Sequence, residues 1–126
     1  MEYLPKKCQR YLANRGLPYE QLEEGAQKAI ILRDFKLPQG KYDVAHADIL
    51  IVLPAGFPDC APDMFYALPW LRLNETRMYP RAADQAVVFQ ETPWQRWSRH
   101  NNDWRPGVDG IWTMLKRIED ALEVAG

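Results

Sequence analysis

Three prolines spaced four residues apart, Pro54, Pro58 and Pro62, separate two largely apolar runs at residues 48–53 and 64–67. Proline has no N–H to donate and a fixed φ, so neither a helix nor a central strand passes through such a stretch. The runs must be separate elements joined by a stiff connection. Both are short and apolar, as strands buried in a sheet are. Residues 29–35 form a third run, rich in β-branched and apolar side chains. Pro38-Gln39-Gly40 follows it with turn chemistry, the proline presetting φ and the glycine relaxing the exit. Three consecutive strands with short connections predict an antiparallel meander.

Helical periodicity flanks this block. Leu4, Cys8, Tyr11 and Leu12 share one face of a short N-terminal helix, with Pro5 suited to its first turn and Gly16 and Pro18 closing it. At the other end Val108, Ile111, Trp112, Leu115, Ile118 and Leu122 fall on one face of a helix over residues 110–124. Asp109 is its expected cap. Residues 69–81 read as irregular, and residues 86–89 as a short strand. Helix, strands, long loop, helix is an α+β order, with helices on one side of an antiparallel sheet. At 126 residues the expectation is a single domain, residues 1–126.

Composition narrows the function classes. A net charge of −1 gives no reason to expect a nucleic-acid partner. The apolar run at residues 49–53 is far too short to span a bilayer, and the N-terminus has no apolar signal segment. Cys8 and Cys60 read as free thiols in a reducing compartment, so the expected location is the cytoplasm. Two His and two Cys at irregular spacing do not suggest a metal site, and no cofactor-binding motif is found.

Six segments together carry a family resemblance: Gly16-Leu17-Pro18-Tyr19, Arg33-Asp34-Phe35, Leu53-Pro54-Ala55-Gly56-Phe57-Pro58, Ala61-Pro62-Asp63-Met64-Phe65, Trp97-Ser98-Arg99-His100 and Trp104-Arg105-Pro106-Gly107. Over roughly residues 10–123 the chain resembles the prokaryotic ubiquitin-conjugating family E, the bacterial branch of the ubiquitin-conjugating enzyme superfamily. The resemblance implies the fold of those enzymes, with an N-terminal helix, an antiparallel meander, a long active-site loop and a C-terminal helix. It implies that a ubiquitin-like protein is accepted from an activating enzyme and passed to a lysine amine on a protein target. It further suggests a role in bacterial anti-phage defence.

The chain departs from the general pattern at two places. Tyr79-Pro80 stands roughly where a His-Pro-Asn triplet is expected, without its His or Asn. The catalytic cysteine is expected a few residues before Trp104, and residues 95–103 hold none. Ser98 is the only hydroxyl side chain in that stretch and is the candidate nucleophile, forming an oxyester in place of a thioester. A serine hydroxyl needs an adjacent base, and His100 lies two residues on, on the same side of an extended segment. Arg99 or Arg96 could polarise the acyl carbonyl. Trp97 or Trp94 could pack on the incoming tail of the ubiquitin-like protein, while Trp104 and Trp112 read as core.

Cys60 is the alternative nucleophile. It reads as a small buried thiol in a turn that the resemblance puts away from the acyl-transfer loop, and Asp59 and Asp63 flank it, an unfavourable setting for a thiolate. Cys8 and His46 read as structural. The missing Cys and Asn also admit a different class of function, a catalytically silent binding module that scaffolds the activating enzyme and the ubiquitin-like protein.

Overall fold

The computed structural model describes residues 4–100 and 103–126. Helix α1 (Lys6–Asn14) leads into strands β1 (Tyr19–Glu24), β2 (Gln27–Lys36), β3 (His46–Leu53), β4 (Phe65–Leu68), β5 (Gln85–Phe89) and β6 (Thr92–Trp97). Helix α2 (Ile111–Val124) closes the chain. The strands form one sheet in the order β1-β2-β3-β4-β6-β5, and every neighbouring pair is antiparallel. The expected meander is β2 to β4. The sheet extends it with β1 on one side and the β6-β5 hairpin on the other.

Alternation along the strands divides the apolar residues between two faces. Ile30 and Leu32 of β2, Ile49 and Ile51 of β3, Phe65 and Ala67 of β4, and Trp97 of β6 meet both helices in the main core. Leu12 of α1 and Leu115 and Ile118 of α2 are completely buried in it. Tyr11 and Trp112 join the two helices edge to face at 6.1 Å. The opposite face carries a smaller core of Ala29, Ile31, Leu50, Phe89 and Trp94. There the sheet curls until its hairpin tips meet, and Gln90 N–H donates to the Glu24 carboxylate.

One expectation needs adjustment at α2. Gly110, not Asp109, is the N-cap residue. Asp109 sits one position earlier, accepting from Arg105 N–H at 2.8 Å and from the Thr113 hydroxyl at 3.0 Å. Thr113 Oγ1 in turn accepts from Gly110 N–H at 3.3 Å. The cap is a side-chain relay across the helix start rather than a single aspartate. Among the described residues no helix is long and apolar enough to cross a membrane.

Candidate functional site

The pairing of β4 with β6 builds the site. Phe65 is the register partner of Trp97, and their rings stack at 5.3 Å, both essentially without solvent exposure. Because the strands are antiparallel, residues just before Phe65 lie beside residues just after Trp97. Asp63 thus comes next to the segment carrying Ser98, Arg99 and His100. Ser98 N–H still donates to Ala82 O at 3.1 Å, which anchors the start of that segment before it leaves the sheet.

Three side chains then line up. Ser98 Oγ lies 3.4 Å from His100 Nε2, and His100 Nδ1 lies 2.8 Å from Asp63 Oδ1. Ser98 and His100 therefore share a side, as residues two apart in an extended segment should. His100 and Asp63 are open to solvent, at 55% and 67% side-chain exposure, so a partner can reach them. The serine-to-histidine separation is longer than a formed hydrogen bond, as is common before a substrate is bound.

Arg99 turns the other way and clamps the loop. Its guanidinium donates to Ser98 O at 3.0 Å and Arg81 O at 3.1 Å, and lies 5.1 Å from the centre of the Trp97 ring. Burial pushes its pKa down, the Tyr42 hydroxyl opposes that shift and neighbouring Arg81 adds to it. Arg99, His100, Asp63 and Phe65 border a cavity of about 230 Å³ that Met114 and Arg117 of α2 complete. The Arg117 Nε is buried with no partner among the described residues. Asn101 and Asn102, part of the expected active-site stretch, lie outside the described residues.

The remaining candidates sit elsewhere. Trp97 is completely buried, packed on Phe65 and edge to face with Tyr42 at 6.2 Å, so it is a core residue and offers no surface to an incoming tail. Trp94 is likewise buried, on the opposite face. Arg96 donates to Gln85 Oε1 of β5 at 2.8 Å. Its position in β6 points it to the face opposite Trp97.

Cys60 is exposed, not buried. Nor is its turn remote from the active-site loop. Trp104 Nε1 donates to Pro58 O at 2.8 Å, Phe57 packs against Trp104, and His100 meets Asp63. The proline-rich turn and the loop after β6 are joined at both ends.

Two residues at this site escaped the sequence reading. Asp63 lies in a motif segment, but its partner is 37 positions away and only the β4-β6 pairing brings them together. Gln95 is polar yet completely buried two residues before Trp97 in β6, where it ties that strand to the segments around Leu71 and Ala83. Among the described residues, no three His, Cys, Asp or Glu side chains converge as a metal site would require.

Searches of curated proteins and of solved structures give no match to this chain. The family model described as Prokaryotic E2 family E matches residues 4–125, nearly the whole length. Its general setting is ubiquitin-like conjugation, with a ubiquitin-like protein and its activating enzyme as partners. The α+β architecture, with a helix at each end of an antiparallel sheet, is consistent with the fold of ubiquitin-conjugating enzymes, and the chain belongs to Prokaryotic E2 family E.

Proposed function

We propose that this protein carries the C-terminal acyl group of a ubiquitin-like protein as an oxyester on Ser98 and delivers it to a lysine amine of a target protein. The observation that supports this most is the pairing of Ser98 Oγ with His100 Nε2 at 3.4 Å. It occurs on the loop between β6 and Trp104-Arg105-Pro106, where the resemblance places the family's nucleophile. In the first step Ser98 Oγ attacks the activated C-terminal carbonyl as His100 Nε2 takes the hydroxyl proton. The Oγ–C bond forms, the bond from that carbon to the activating enzyme's leaving group breaks, and the leaving group departs with the proton from His100, which returns to its neutral form. In the second step a neutral amine attacks the ester carbon, His100 accepts a proton from nitrogen, and Ser98 Oγ leaves and is reprotonated. An amide to the target remains.

Arg99 has a supporting place in this scheme. Its guanidinium donates to Ser98 O and Arg81 O and so fixes the loop that presents Ser98 and His100. The whole chain, residues 1–126, acts as one domain in the cytoplasm, a placement supported by its free thiols. The anti-phage setting rests on the family resemblance alone.

The test is reconstitution with the activating enzyme, the ubiquitin-like protein and ATP, read by intact mass. The proposal expects an ATP-dependent adduct that survives thiol, is released by hydroxylamine, and is absent from Ser98→Ala. A thiol-labile adduct lost in Cys60→Ala would move the chemistry to Cys60. Tight binding with no adduct, while the activating enzyme adenylates its partner, would leave a silent scaffold.

A further inference from the structure

We infer that Asp63 is a positioning residue for His100, and that it completes a serine–histidine–aspartate relay within this domain. The inference rests on the role proposed above for Ser98 and His100. The geometry is directional. His100 presents Nδ1 to the Asp63 carboxylate at 2.8 Å and Nε2 to Ser98 at 3.4 Å. An ionised carboxylate can only accept, so a neutral imidazole beside it carries its proton on Nδ1. That leaves the Nε2 lone pair facing the serine hydroxyl, the tautomer a general base needs. When Nε2 takes the proton, the imidazolium sits against a carboxylate that stabilises it. The same tautomer is needed again when the amine gives up its proton.

The backbone supports this assignment. Asp63 is held two residues before Phe65, whose ring stacks on buried Trp97, and His100 three residues after Trp97. The relay's two halves are fixed by the best-packed aromatic pair at that end of the sheet. The relay is nonetheless open to water, with Asp63 67% exposed. Screening by solvent weakens such a pair, so its contribution is smaller than in a buried triad.

Two readouts test the inference on the intact protein. The first is the tautomer of His100, read from its ring ¹⁵N shifts, with His46→Gln used to assign the two histidines. Protonation at Nδ1 in the wild type, changing to a mixture in Asp63→Asn, is the expected result. The second is the rate at which Ser98 is acylated by p-nitrophenyl acetate, followed as a Ser98-dependent mass increase. Asp63→Asn should slow it by about tenfold to a hundredfold, part of the ~10²–10⁴ that a positioned base supplies, with Asp63→Glu recovering some of the loss. Unchanged tautomer and rate in Asp63→Asn would overturn the inference and leave the acyl-carrier reading standing. A wild-type Ser98 that neither reagent nor carrier acylates would sink that reading, and the tautomer would then decide the role of Asp63 by itself.

Discussion

Replacing Gln95 with leucine tests how the strand that delivers Ser98 is held. The Gln95 amide is completely buried and uses every hydrogen-bonding position it has. Nε2 donates to Leu71 O at 3.0 Å and Ala83 O at 2.8 Å. Oε1 accepts from Leu71 N–H at 2.8 Å and Trp97 Nε1–H at 3.1 Å. Leucine has a similar volume, so the substitution leaves little cavity but strips partners from two donors and two carbonyls. Each buried group left unpaired costs about 1–3 kcal/mol, and local relaxation with water entry brings the sum toward the low end, about 4 kcal/mol. With a urea slope of about 1–3 kcal/mol per molar, the midpoint should fall by roughly 1.3–4 M. The thermal midpoint of a domain this size should drop by about 15 °C. Amide exchange at Leu71 should accelerate with it. A stability loss under about 1 kcal/mol, with Leu71 still protected, would refute the claim that this amide secures β6.

Three further outcomes follow from the helix start and the core. The Asp109 carboxylate is held below the ordinary carboxylate range, first by the Arg105 backbone N–H and then by the Arg105 and Thr113 side chains, against an opposing desolvation. A lowered folded-state value means its stabilisation is present above the unfolded value of about 3.9 and is lost as pH falls through the folded value. Asp109→Asn should therefore flatten the fall of urea midpoint as the pH drops below about 4. At Gly110 an added Cβ would come 2.6 Å from the Trp112 ring, so Gly110→Ala should cost about 1–3 kcal/mol in denaturant unfolding, whereas Gly107→Asn, where nothing crowds the Cβ and the cost is the backbone strain of φ +80° that asparagine tolerates best, should cost less. Tyr42 is buried and its hydroxyl donates to Leu122 O at 2.6 Å, so Tyr42→Phe should lose about 1–2 kcal/mol and unprotect the end of α2.

The sequence exposed those features whose cause is local. Both helices are amphipathic at the expected spacing, and β2, β3 and β4 are apolar runs bounded by turn residues, so all five could be read directly. Strand β1 could not, because an edge strand reading Tyr-Glu-Gln-Leu-Glu-Glu is mostly solvated and shows little alternation. Strand β6 is hidden for a different reason. Trp94 and Trp97 are three apart and so face opposite cores, while Gln95 is a buried polar residue between them, which erases the period-2 signal. Missing β6 hid its pairing with β4, and with that the approach of Asp63 to His100. Ser98 and His100 were legible because a two-residue spacing is itself local geometry. Whether Trp97 is core or surface is not legible in the sequence, because its surroundings come from β4 and the segment near Tyr42, far away in the chain.

The most direct measurement is to map the acyl site on the ATP-dependent adduct by Asp-N digestion and tandem mass spectrometry. Cleavage before Asp84 and Asp103 yields a peptide of residues 84–102, which contains Ser98 and no cysteine, while Cys60 falls in residues 59–62. The account predicts the carrier's C-terminal remnant on Ser98 within the first peptide. A remnant on Cys60, or an adduct whose mapped site is unaffected by Ser98→Ala, would contradict it.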